Sequence, residues 1–325
     1  MWPPWPAGWP CSASGPLPDP PTEERTGRTP PTEERNHRTL DLDTLPTRDL
    51  LDRLNDEDAL VAPGVRRALP ALSIVVDEAT RRIGAGGRVH YVGSGTSGRL
   101  AVLDAAELGP TFGLPPGLVV PHLAGGDRAL KQAVEGAEDD RAAGAAALTG
   151  AGPHDLVLGL TASGAAPFVG AALERARAGG AFTALITANP AAPLAGLADV
   201  CVCADTGPEA VAGSTRLKAG TAEKMLLNSF STALMVRTGR TYSNLMVHVA
   251  PANAKLRARQ RRLLAQATGT PADRCATALA DADGDLRVAL VTLLSGVETG
   301  EARAALDRSG GVVRAALQDL TGRAL

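Results

Sequence analysis

Apolar residues in this chain fall into short blocks separated by longer amphipathic stretches. Five apolar runs, at 88–92, 118–123, 155–160, 182–187 and 199–203, are each bounded by turn residues, a pattern that predicts strands. Between them, helical spacing near 97–108, 127–149 and 166–178 predicts helices. Strands and helices in alternation give a parallel sheet covered on both faces, with ligands at the strands' carboxyl ends. Upstream, the apolar spacing from Leu40 to Ile83 predicts two or three helices. Downstream, 219–236 reads as a long helix with few charges after Lys224, too apolar to lie in solvent and therefore expected in the core or a subunit interface. From 259 on, helix-like segments broken by Gly269, Gly284, Gly300, Gly310 and Gly311 predict a small helical domain without evident chemistry. The expected fold is α/β, a doubly wound parallel sheet with a small C-terminal helical domain.

The first 31 residues break this texture. They are rich in proline and polar residues, and PPTEER at 20–25 recurs at 30–35. Such a stretch buries too little apolar surface to offset its ordering entropy, so a disordered leader is expected over 1–31. That leaves 32–258 for the sheet and its helices and 259–325 for the helical domain.

Composition narrows the partners. Lys+Arg 33 against Asp+Glu 35 gives a formal net charge of -2, and aromatics are 3%, so neither a basic surface nor stacking platforms for nucleic acid are expected. No run of 18 apolar residues occurs, and MWPPWPAGWP lacks the basic start of a signal peptide; no membrane association is expected. Cys201 and Cys203 lie two apart on one strand face and cannot readily pair, and Cys11 and Cys275 add no metal-ligand spacing. Reduced thiols in a cytoplasmic protein are the simplest reading.

The segment VHYVGSGTSGRLAVLDAAE (89–107) carries the chemistry. An apolar strand stops at a loop of glycine and hydroxyl residues, and a helix follows at once. Gly95 lets the backbone approach an anion, the helix N-terminus presents N–H groups, and Ser94, Thr96 and Ser97 add donors suited to a terminal phosphate. Gly93, Gly95 and Gly98 also spell a dinucleotide fingerprint, but the acidic residue that should end the next strand is missing, because 118–123 runs into Ala-Gly-Gly. A second strand–loop–helix unit, 155–176, carries Thr161, Ala162, Ser163 and Gly164 in its loop, placing Ser163 as a further candidate contact. Ser214, Arg216 and Lys218, at the start of the apolar helix, form a cationic and hydroxyl cluster able to meet a phosphate or carboxylate. Acids for proton transfer are Glu107, at the end of the first helix, and the cluster Glu135, Glu138, Asp139 and Asp140. Residues 135 and 138 are expected on one helix face.

Five ordered blocks, GSGTSGRLAVLDAAE, PTFG (110–113), AGGDRALKQAVEGAEDD (124–140), GSTRLKAGTAEK (213–224) and NLMV (244–247), closely resemble the N-acetylmuramic acid 6-phosphate etherases, of the sugar isomerase (SIS) fold class. The resemblance runs from about Thr32 to the C-terminus. It implies removal of the lactyl ether from N-acetylmuramic acid 6-phosphate, no cofactor or metal, a homodimer with a pocket shared between subunits, and cell-wall sugar recycling. On the shared blocks the family's proton-donating glutamate falls on Glu107 and its second catalytic glutamate on Glu138, not Glu135. The chain departs from the family at Ala165 and Ala166, where many members have Arg-Thr, at Leu108-Gly109-Pro110 in place of Cys-Pro-Pro, and at His248 in place of an aspartate. A non-catalytic phosphosugar sensor like the glucokinase regulatory protein, or a sugar-phosphate isomerase, would share the fold; the two glutamates favour the lyase.

Overall fold

A computed structural model describes residues 29–248 and 254–322, so all but the last three residues of the expected leader lie outside it. Strands β1 (Val89–Gly93), β2 (Val119–Leu123), β3 (Leu156–Leu160), β4 (Phe182–Thr187) and β5 (Val200–Cys203) form one parallel sheet in the order β2-β1-β3-β4-β5. Val89 pairs with Val119 on one side and with Leu156 on the other. Chain order reverses between β1 and β3, so their carboxyl ends border the crevice where ligands bind in open sheets of this kind.

The pleat divides each strand between two cores. Leu156, Leu158 and Leu160 of β3 point into a core shared with α2 (Val61–Gly84), α3 (Gly95–Phe112) and α7 (Lys218–Arg237). Val157 points to the opposite face and packs with Phe168, Val169 and Leu173 of α6 (Pro167–Ala178), beside α5 (Arg141–Ala147). The apolar helix α7 belongs to the first core: Leu226, Leu227, Phe230, Leu234 and Met235 are fully buried within this chain. Its apolarity is therefore satisfied internally except at Val236, near its end.

The structure corrects one reading. The helix expected over 127–149 is broken into α4 (Arg128–Lys131), a 3-10 turn (Ala137–Asp139) and α5. Gly136, at φ 72, takes the left-handed conformation that ends helical continuation, and Asp140 caps α5 by accepting from Ala143 N at 2.9 Å. Glu135 and Glu138 therefore do not share a helix face. Thr47–Gly84, comprising α1 (Thr47–Asp58) and α2, contains a window of mean hydropathy 1.5, long and apolar enough to cross a membrane by length and composition. Counting uninterrupted apolar runs misses it. In the fold Val65, Leu72, Val75, Val76 and Ala79 of α2 are buried against α7 and the sheet.

After α7 come a hairpin, β6 (Thr241–Tyr242) and β7 (Leu245–Met246), and helices α8 (Ala254–Thr268), α9 (Ala272–Asp281), α10 (Leu286–Ser295), α11 (Thr299–Arg308) and α12 (Val313–Thr321). They enclose a separate core that includes Leu264, Leu290, Leu306, Val313 and Leu317. Cys201, Cys203 and Cys275 are unpaired, and burial pushes their thiols up, Cys203 to about 12, which leaves them chemically quiet.

Candidate active site

The first loop joins β1 to α3 at the reversal point of the sheet. Ser94, in extended backbone, is the N-cap residue of α3, and Gly95 follows at φ 53, a left-handed conformation that glycine adopts without cost. The N–H groups of Gly95, Thr96 and Ser97 open α3 and have no acceptor within the helix, so they and the helix dipole face any anion placed there. Gly93 and Gly98 serve close packing: a Cβ on Gly98 would lie 2.4 Å from Leu123 Cδ1 and 2.5 Å from Gly93 O. Gly98→Ala is therefore expected to cost about 2 kcal/mol by overpacking, read as a lower urea midpoint at unchanged slope, and to shift the loop.

Glu138 reaches this loop. Ser94 Oγ donates to Glu138 Oε2 at 3.4 Å, a long contact at an exposed edge. Glu135 and Asp140 instead line a separate open cavity of about 510 Å³ with His122 and Phe168. The broken helix thus divides the acidic cluster: Glu138 contacts the hydroxyl loop and Glu135 lines this cavity.

The second loop follows β3, next to the first. Gly164, at φ 71, turns the chain, and Ser163 Oγ accepts from Ala165 N at 3.3 Å and lies 3.4 Å from Thr161 Oγ1. Thr187 and Asn189, at the end of β4, brace it: Thr187 Oγ1 donates to Ala162 O and Asn189 Nδ2 to Ser163 O. No motif marked either residue. Ala165 is exposed and Ala166 buried, so the methyl at 165 stands in solvent.

The segment at 213–220 lies against the first loop; a Cβ on Gly220 would be 3.4 Å from Thr96 Cγ2. Ser214 is half-buried and Arg216 exposed, leaving that guanidinium free to turn toward an anion. Lys218 departs from the expectation. Its side chain is fully buried, and Nζ donates to Glu57 Oε2 at 2.6 Å instead of facing the crevice. Glu209 occupies the start of α7, accepting from Lys218 N and Ala219 N at 2.9 Å each. Glu57 also bonds Arg38 and Asn36, and Arg38, Lys218 and Asn36 together hold its carboxyl down at about 2. Nothing near Lys218 in sequence signals a partner 161 residues away.

Glu107 lies exposed on α3, one turn beyond Asp104. Asp104 itself is buried and accepts from Tyr91 Oη and Ser231 Oγ, both at 3.0 Å, so it braces α3 rather than facing the crevice. Glu107 lies twelve positions after Gly95, the first residue of α3, roughly 18 Å along the helix axis. Within one chain, Glu107 and Glu138 do not meet. His248 lies between Arg240 O and Arg287 at the edge of the helical core, and burial lowers its imidazole to about 4.

Known proteins agree with this architecture. A family model for the glucokinase regulatory protein N-terminal SIS domain matches residues 71–177. An N-acetylmuramic acid 6-phosphate etherase of Thermobifida fusca is 54% identical over 79% of this chain and 84% of its own length. Etherases of the same name from Cutibacterium acnes (49%, covering 86% of this chain and 92% of the relative) and Mesorhizobium japonicum (45%, 87% and 93%) extend the similarity. The sheet, its reversal-point loops and this identity over nearly the whole relative place the chain in the N-acetylmuramic acid 6-phosphate etherase family.

Proposed function

We propose that this chain is a carbon–oxygen lyase that removes the lactyl ether of N-acetylmuramic acid 6-phosphate, giving N-acetylglucosamine 6-phosphate and D-lactate in amino-sugar recycling. The observation that carries this reading is Glu138 against Ser94, a carboxylate beside a phosphate-type loop, in a member of this family. The α3 N-terminus with Ser94, Gly95, Thr96 and Ser97 holds the phosphate, while Ser163, Ser214 and Arg216 contact the sugar or its phosphate. Ring opening exposes an aldehyde at C1, which acidifies the C2 proton and sets the ether β to the carbonyl. A base takes the C2 proton while Glu107 protonates the departing ether oxygen. Lactate leaves, and Glu138 then activates the water that adds to C3 of the unsaturated aldehyde.

These roles require Glu107 of a second copy, because α3 carries a chain's own Glu107 away from its own loop. The outer surface of the α2, α7 and α3 layer leaves Leu69, Ile74, Leu103 and Val236 exposed, and Leu103 is one turn from Glu107. A homodimer packed there covers apolar surface and excludes water around Glu107, as a general acid requires. We take α8–α12, with their own core, as a small separate domain. Free thiols and a phosphorylated substrate that does not cross bilayers unaided support a cytoplasmic site of action.

The test is release of D-lactate from N-acetylmuramic acid 6-phosphate by the purified protein, with light scattering to measure the oligomer. Folded protein that yields no lactate would favour the sensor reading, and a monomer at working concentration would remove the shared site.

A further inference from the structure

Beneath the first loop lies a carboxyl that the reaction does not use. Glu223, on α7, is buried and points between the two loops, where it is surrounded by Ala162, Ile186, Ala188, Ala204 and Leu226. Its Oε2 lies 2.8 Å from Ser97 Oγ, and its Oε1 is buried with no hydrogen-bond partner. Among the described residues no cation pairs with it. On the elements packed against α7, Glu57 is held by Lys218, Asp104 by Tyr91 and Ser231, and Asp77 lies near Arg237 at the far end of the helix. Glu209 caps the backbone of Lys218 and Ala219, β4 contributes only the neutral Thr183 and Thr187, and β5 ends in the un-ionised thiol of Cys203. Burial alone opposes charge on Glu223 and pushes it up to about 8, against the Ser97 bond.

A neutral carboxyl has one donor, and an unpaired buried O–H is costly. Among the described residues Glu223 has one hydrogen-bond partner, the hydroxyl oxygen of Ser97. The direction of that hydrogen bond therefore depends on the proton. When Glu223 carries it, Oε2–H donates to Ser97 Oγ, and the single hydroxyl proton of Ser97 is left for another acceptor. When the proton has gone to solvent, Ser97 must donate to the carboxylate.

We propose that Glu223 is a positioning residue for the phosphate loop: as a neutral acid it turns the Ser97 hydroxyl proton toward the phosphate of the substrate, and as a carboxylate it withdraws that donor. The inference rests on the phosphosugar reading above and adds to it a residue that sets substrate affinity through Ser97.

The experiment measures KM for N-acetylmuramic acid 6-phosphate and, by calorimetry, Kd for N-acetylglucosamine 6-phosphate, between pH 6.5 and 9.5. In the wild type both constants should rise roughly tenfold as pH passes about 8, with kcat changing much less. Glu223→Gln places an amide donor that does not titrate, so its constants should stay within about twofold across the range. Ser97→Ala removes the reporting hydroxyl and should also abolish the pH dependence, which serves if the glutamine variant folds poorly. A wild type whose KM and Kd are flat, or a Glu223→Gln profile that follows the wild type, overturns the proposal. If no lactate forms yet Kd keeps this pattern, the lyase reading falls and the role of Glu223 stands; if neither lactate nor binding is seen, both fall.

Discussion

Glu138→Gln and Glu107→Gln are each expected to lower lactate release by several orders of magnitude while leaving the melting temperature within a few degrees. Both side chains are exposed and neither supports the core, so the loss should be in kcat rather than in folding. Glu135→Gln should be close to wild type, since Glu135 lines the cavity beside His122 and Phe168 and is not the acid that bonds Ser94. The shared-site geometry adds a sharper result. Mixing the inactive Glu107→Gln and Glu138→Gln proteins under conditions that exchange subunits should restore activity, because one of the two sites in a mixed dimer keeps both glutamates. Activity that stays absent after verified exchange would mean that both carboxylates come from one chain, which the helix length opposes.

Lys218→Met should destabilise the protein by about 3–5 kcal/mol, since it leaves the buried Glu57 carboxylate without its ammonium partner. Glu57 joins the N-terminal segment, through Asn36 and Arg38, to the first turn of α7 across the fold. The double variant Glu57→Gln, Lys218→Met removes both charges and should recover a large part of the loss in urea unfolding. Acid gives an independent reading. With its carboxyl held from 4.5 down to about 2, Glu57 contributes stability that is complete above about pH 4.5 and is lost as pH falls through 2. That contribution is about 3 kcal/mol by the shift, and Glu57→Gln should remove it from the stability profile. If Lys218→Met instead raised KM with stability intact, the lysine would serve the substrate, as its sequence neighbourhood suggests, and the buried pair would not hold.

Local pattern proved a good guide where the determinants are local. Each strand lies within one residue of its apolar run, and the two hydroxyl loops fall where strand and helix signals meet. The reading faltered where one residue, or a distant one, decides. Gly136 at φ 72 breaks a stretch whose spacing is otherwise helical, and this separates Glu135 from Glu138. Lys218 turns inward because of Glu57, and Glu223 acquires meaning only when α7 packs under Ser97. Spacing along a sequence carries no trace of either pairing. The apolar character of 219–236 was legible, but whether the core or a partner buries it became clear only from the packing.

The most direct test of the proposed reaction is turnover of N-acetylmuramic acid 6-phosphate in ¹⁸O water with mass analysis of both products. Elimination followed by hydration predicts D-lactate without the label and N-acetylglucosamine 6-phosphate carrying one ¹⁸O at C3. Label in the lactate, or no lactate from folded protein, would contradict it.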